Sequence, residues 1–167
     1  MKKIQRLVMS AMLAALICVA TLVIQIPSPL GGYINLGDAV IIFASAVLSP
    51  LYAFFAAAIG SMLADVFSGF MLYAPATFLV KGLMALVSCA VFKVLKDKMG
   101  KFTARIIGGF LSEILMVSGY YVFEGFIYGF GASLVNIPPN FVQGGAGLVL
   151  GLALIKLFEK TRLFKEN

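Results

Sequence analysis

The sequence predicts an all-α polytopic membrane protein, a single domain of residues 1–167 built as a six-transmembrane-helix bundle with both termini cytoplasmic. Three observations carry that prediction. Of the 167 residues, 62% are hydrophobic and 12% charged, against about 45–50% apolar and about 25% charged in ordinary soluble domains, an excess too large to bury in so small a core. The apolar runs between charged clusters reach the ~20 residues that a helix needs to cross a bilayer. None has the strict alternation, in segments of about ten residues, that marks a membrane β-barrel.

The helices are expected at about 6–26, 38–49, 51–70, 75–95, 104–128 and 138–159. The first follows Lys2, Lys3 and Arg6 and runs apolar from Leu7 to Ile26. That is longer than the apolar core of a secretory signal, about 7–15 residues, and no small-x-small site closes it, so it reads as an uncleaved span. The second is short: from Asp38 to Ser49 it covers only about 18 Å of a hydrocarbon core roughly 30 Å thick, and Pro50 ends it.

Charge decides whether this short segment is separate. With six spans, "KVLKDKMGK" (Lys93, Lys96, Lys98, Lys101, with Arg105 beyond) and the terminal Lys156, Lys160, Arg162 and Lys165 join the basic N-terminus on one side. The loops on the other side then hold no Lys or Arg, the positive-inside pattern; five spans would break it. The net charge of +6 is therefore topology and attraction to anionic headgroups, and supports no nucleic-acid partner.

Small residues four apart recur, Ala11 and Ala15 in the first helix, Ala56, Gly60 and Ala64 in the third, Gly147 and Gly151 in the sixth, a spacing that lets helix backbones approach closely in lipid. Pro139 is well placed at the start of the last helix, where a missing N–H costs nothing. Cys18 and Cys89 lie inside apolar spans and read as packing groups; no disulfide or metal site follows from them.

A charged side chain at membrane depth costs about 2.5 kcal/mol or more, so each needs a reason. Five stand there: Asp38, Asp65, Lys81, Glu113 and Glu124. All but Glu113 gather in the outer half, and Glu113, deeper, is expected to make a helix–helix hydrogen bond. On the fifth helix Glu113, Tyr120, Glu124 and Tyr128 share one face, with Tyr121 a little further round. The segment "VNIPPNFVQGG" presents Asn136, Asn140 and Gln143 at the outer mouth, beneath a loop, "IPSPLGGYINLGD", that suits an ordered cover or a lid.

The picture is an outward-opening pocket walled by Tyr, Asn, Gln and a few charges. Plainer readings stay open: Lys81 paired with Asp65 or Glu124 to fix helix order, Tyr33 and Tyr128 as interfacial anchors, and Asp38 as a helix N-cap. With no His, metal-ligand cluster, phosphate-binding glycine loop or nucleophile elbow, no enzyme is expected. A proton-coupled carrier using a buried carboxylate such as Glu113 stays open, although no repeated halves are evident; so does a membrane assembly factor without a ligand.

The stretches "INLGDAVIIFASAVLSPLYAFFAAAIGSMLADVFSG", "YAPATFLVKGLMAL" and "NIPPNFVQGGAG" together resemble the substrate-binding S component of energy-coupling-factor (ECF) vitamin transporters. The likeness is to the branch that includes proteins for hydroxymethylpyrimidine, pyridoxine or riboflavin, and it covers nearly the whole chain. The resemblance implies a multi-pass protein of a bacterial cell membrane that captures a vitamin or vitamin precursor at its outer face. It performs no chemistry and holds no cofactor; a transmembrane coupling subunit and two cytoplasmic ATPases would supply the energy, and toppling of the protein would release the ligand inside. Ala11-x-x-x-Ala15 matches the family's alanine motif for docking on the coupling subunit. Asn35, Asp38, Lys81, Asn140 and Gln143 occupy its ligand positions, to which the helical stripe adds Tyr120, Tyr121 and Glu124. Lys81 would suit a ring hydroxyl or carboxylate, the tyrosines a flat ring, and the amides its ring nitrogens and amino groups.

Overall fold

The computed structural model describes residues 3–160; Lys2, Arg162 and Lys165, counted above for topology, lie outside the described residues. Helix α1 (Lys3–Val23) is followed by a small hairpin, β1 (Ile26–Pro27) and β2 (Tyr33–Ile34), then α2 (Gly37–Val47), α3 (Pro50–Phe67), α4 (Ala74–Met99) and α5 (Lys101–Tyr128). A one-turn helix, α6 (Phe130–Ser133), and a 3-10 turn (Leu134–Asn136) lead into α7 (Ile137–Phe158). Five stretches are long and apolar enough to cross a membrane, α1, α3, α4, α5 and the run Phe130–Phe158; α2 is the short sixth.

Proline and glycine set the breaks. Leu48 closes α2 with its N–H on the Ala44 carbonyl, and Pro50 begins α3 after an extended Ser49. Pro138 and Pro139 fall in the first turn of α7, where a missing donor leaves nothing unpaired. Between α4 and α5 only Gly100 intervenes, at φ 84°, a backbone that L side chains rarely adopt. Both helices therefore run further into "KVLKDKMGK" than expected, because the lysines are good helix formers whose heads reach water while their stems cover apolar surface.

The short α2 is the centre of the bundle. It turns no polar face to solvent: every residue of it except Ala46 is buried, between α1, α3, α4 and α7, and its two polar side chains, Asp38 and Ser45, both bond to α4. A helix without a polar face is stable only when surrounded, so α2 needs neighbours and not length. Ile41 and Ile42 join Ile17, Met84, Met116 and Ile155 in the fully buried core. Glycines admit the closest neighbours: a Cβ on Gly60 would strike the Ala14 carbonyl of α1, and one on Gly147 would lie 2.7 Å from the Asp38 Cβ of α2. Ser10 Oγ donates to the Tyr52 carbonyl (3.1 Å), tying α1 to α3. Cys18 and Cys89 are free and buried, and the Cys89 thiol donates to the Ser45 carbonyl.

The loop after α1 departs from a purely helical plan. Ile26 pairs with Ile34 and Pro27 with Tyr33. The turn is closed by Gly31 N–H on the Ser28 carbonyl (3.2 Å) and Ser28 N–H on the Gly32 carbonyl (3.1 Å), with Gly31 and Gly32 at φ 103° and 74°. This hairpin lies over the end of the bundle where α3 and α5 finish and α4 and α7 begin.

Candidate functional site

Beneath the hairpin is a polar cavity to which each of those elements contributes. The hairpin supplies Ser28, Gly31, Gly32 and Tyr33, with Asn35 just after it; α3 supplies Asp65; α4 supplies Thr77, with Tyr73 preceding it; α5 supplies Tyr120 and Glu124; α7 supplies Asn140 and Gln143. The open space among them is about 30 Å³, room for about two waters, so admitting an aromatic ring requires the hairpin or its side chains to move.

Two carboxylates, Asp65 of α3 and Glu124 of α5, stand in this lining. Tyr33 donates its hydroxyl to Asp65 Oδ1 (2.7 Å) while its ring packs at 5.0 Å from that of Phe70. Expected as a possible surface anchor, Tyr33 instead turns inward. Burial, and then the Asp65 carboxylate, hold its hydroxyl well above the usual tyrosine range, so it remains a donor. Glu124 Oε1 accepts from Asn136 Nδ2 (2.8 Å) and, at 3.4 Å, from the Tyr73 hydroxyl; Asn136 Oδ1 in turn accepts the Leu30 N–H of the hairpin (3.3 Å). Each acid keeps an oxygen, Asp65 Oδ2 and Glu124 Oε2, that accepts no hydrogen bond from the described residues. Thr77 and Tyr120 join their hydroxyls at 3.0 Å on the wall between α4 and α5.

Behind this lining lies a closed network. Lys81 is ion-paired with Asp38 Oδ1, both almost wholly buried. Gln143 Nε2 donates to Asp38 Oδ2 (2.6 Å), and Gln143 Oε1 accepts from the Asn35 N–H (3.0 Å) and Nδ2 (3.3 Å). Asn35 Oδ1 accepts the Gly37 N–H (2.9 Å), a local turn that starts α2. Hairpin, α2, α4 and α7 are thus joined through four polar side chains, and no oxygen of Asp38 is left over.

Several expectations change. Lys81 pairs with neither Asp65 nor Glu124 but with Asp38, and neither Lys81 nor Asp38 lines the cavity; Lys81 Nζ lies 5.5 Å from the centroid of the Tyr120 ring, which does. Asp38 is not the cap of α2: the N-cap position is Leu36, which makes no side-chain cap bond. Asp38 sits in the first turn with its carboxylate drawn to Lys81 and Gln143, because a charge buried this fully needs a partner. Tyr121 turns away from the cavity and packs on Phe130, ring centroids 5.8 Å apart. Asn35, Tyr120, Glu124, Asn140 and Gln143 line the cavity as a group.

Tyr73 and Thr77 were missed, although a signal existed: Tyr73, Thr77 and Lys81 stand four apart, hence on one helical face. Glu113 makes no helix–helix hydrogen bond. Both its oxygens lack a partner among the described residues, and the side chain is packed beside Gly144 and Gly147 at the edge of a separate apolar cavity of about 100 Å³ between α5 and α7. Ala11 and Ala15 are exposed, on an apolar groove between α1 and α3 walled also by Phe55, Ile59 and Leu63.

Comparison with known proteins adds an independent line. The family model described as "ECF-type riboflavin transporter, S component" matches residues 1–160. A Pyrococcus woesei protein described as "uncharacterized protein in gap 3'region" is 30% identical over 145 residues, 86% of this chain and 95% of that protein. The thiamine precursor transporter HmpT of Lactococcus lactis subsp. cremoris (strain MG1363) is 39% identical over 51 residues, 30% of this chain and 31% of its own. A solved S component of a bacterial ECF transporter superposes with a TM-score of 0.71 over 99% of this chain and 100% of that one, at 23% identity; what that structure shares is the fold.

Proposed function

The chain belongs to the family of S components of ECF-type riboflavin transporters, and on that premise we propose that it captures a vitamin or vitamin precursor, a flat heteroaromatic of the hydroxymethylpyrimidine or pyridoxine kind, in the cavity under the hairpin. As a family member it is an integral membrane transport protein and not an enzyme. The observation that carries the substrate assignment is the polar cavity at one end of an otherwise apolar bundle, walled by three tyrosines, three amides and two carboxylates and roofed by a hairpin tied down by side chains.

In this reading the hairpin lifts, the ring enters, and Tyr33, Tyr73 and Tyr120 close on its faces while Asn140 and Gln143 read its edge. Asp38 and Lys81 act from behind the lining, holding Gln143 and Tyr120 in place. The cavity faces outward, because the basic loop at Lys96–Lys101 is at the other end of the bundle and belongs on the cytoplasmic side with the termini. A transmembrane coupling subunit docks at Ala11 and Ala15, and two cytoplasmic ATPases drive delivery.

Reconstitution tests it. Liposomes holding the chain with a coupling subunit and its ATPases should take up ligand with ATP and not without it. Uptake by the chain alone under a proton gradient would establish a self-sufficient carrier instead. Mass spectrometry of small molecules that co-purify with the chain should return a nitrogen heteroaromatic; a preparation that neither carries nor binds one would point to an assembly role.

A further inference from the structure

The charge of the cavity is set by a shortage of cations. Between Arg6 and Lys93 the only cation is Lys81, and between Arg105 and Lys156 there is none. Lys81 is committed to Asp38 behind the lining. The charged groups that line the cavity are therefore Asp65 and Glu124 alone, one on α3 and one on α5.

Both are nine-tenths buried or more, Asp65 6% and Glu124 2% exposed, yet each is only half satisfied. Neutral donors hold one oxygen of each, Tyr33 for Asp65, with the Thr77 hydroxyl also turned to that carboxylate, and Asn136 with Tyr73 for Glu124. Asp65 Oδ2 and Glu124 Oε2 have no donor among the described residues. A buried carboxylate oxygen without a donor is costly, and both residues line the cavity, so a ligand that displaces the side chains there can supply one. Other members of the lining are amides and hydroxyls, which adapt to donor or acceptor.

We propose that this cavity selects uncharged or cationic heteroaromatic ligands that carry N–H donors, an amino group foremost, and rejects ligands that carry a phosphate or carboxylate. The inference deepens the S-component reading and rests on it. An amine meets an acceptor that is otherwise unpaired, in a charge-assisted bond stronger than one between neutral groups. An anion meets two carboxylates with no free cation to offset them, so its rejection is built from repulsion and not from poor fit.

The test is calorimetric titration of the purified chain in detergent with four probes: hydroxymethylpyrimidine, which bears a ring amine, its counterpart with the amine replaced by a carbonyl, its phosphate ester, and riboflavin. The amine should bind on the order of ten- to a hundredfold more tightly than the carbonyl form, and the phosphate ester should give no detectable heat. Asp65→Asn or Glu124→Gln should shrink the amine preference; should either fold poorly, the wild-type series decides. Tight binding of the phosphate ester, equal binding of amine and carbonyl forms, or an amine preference unmoved in both variants would overturn the inference. Tight binding of riboflavin, whose ring donor is an imide N–H, with no binding of the amine would overturn the preference for an amino group while leaving the S-component reading standing. Binding of none of the four, with no ATP-driven uptake by the full complex, would remove that reading and the inference together.

Discussion

Lys81 of α4 and Asp38 of α2 form an ion pair in which neither partner reaches solvent or the cavity. Removing one member of such a pair leaves an uncompensated buried charge, which costs about 3–5 kcal/mol, whereas replacing both by apolar groups is often neutral. Lys81→Met should therefore lower the thermal midpoint in detergent sharply, and Lys81→Met combined with Asp38→Leu should recover most of the loss. If the recovered protein still binds ligand, within about tenfold of wild type, the pair acts by positioning. If it folds and binds nothing, Lys81 touches ligand directly.

Gln143 is the joint between this pair and the hairpin, since one amide donates to Asp38 and accepts twice from Asn35. Gln143→Ala frees the hairpin and strips Asp38 of a donor. The expected result is faster amide hydrogen exchange across Ile26–Ile34 and ligand binding weaker by roughly 1–3 kcal/mol, the cost of an unsatisfied buried group. Asn136→Ala should loosen the same segment at Leu30 from the other side. Unchanged exchange in both variants would mean that the hairpin is held by its own turn alone.

The helices were legible because apolar runs end visibly at Pro50, Gly129 and the Pro138–Pro139 pair, whereas the lysines around Gly100 hid how far α4 and α5 extend. The short α2 was legible for the same reason. Its azimuth was not: in so short and apolar a helix the pattern does not say which neighbour Asp38 faces, so the partner of Lys81 was a choice among carboxylates at similar depth, settled only by packing. The stripe on α5 found Tyr120 and Glu124 but also drew in Tyr121, one residue on and therefore about 100° around the helix, far enough to face Phe130 instead of the cavity. Tyr33 stands in a connecting segment, where no periodicity reports which way a side chain turns.

Close helix approach gives a paired prediction along α7. A Cβ on Gly147 would lie 2.7 Å from that of Asp38, whereas one on Gly145 meets nothing within 4 Å. Gly147→Ala should push α7 from α2, costing about 1–3 kcal/mol as overpacking does, and weaken ligand binding through the displaced Gln143. Gly145→Ala should be neutral or stabilise by a few tenths up to about 1 kcal/mol, since alanine is the better helix former. Thermal midpoints of the two variants, side by side, check the direction of α7.

Ala11 and Ala15 test whether capture and delivery are separable in this fold. Both are exposed while their neighbours Ser10 and Leu13 are buried against the bundle, so larger side chains there meet lipid and not the core. In Ala11→Leu and Ala15→Leu the thermal midpoint and ligand affinity of the isolated chain should stay within error of wild type. A smooth small-residue surface is what permits close contact between membrane helices, and a leucine on it holds a partner helix away. ATP-driven uptake by the reconstituted complex should therefore fall at least tenfold, with less coupling subunit recovered on the chain in pull-downs. Gly60→Leu makes the contrasting control: it faces the Ala14 carbonyl within the chain, so it should fail in folding before any partner is added. Full uptake by Ala11→Leu and Ala15→Leu would move the docking surface elsewhere on the bundle.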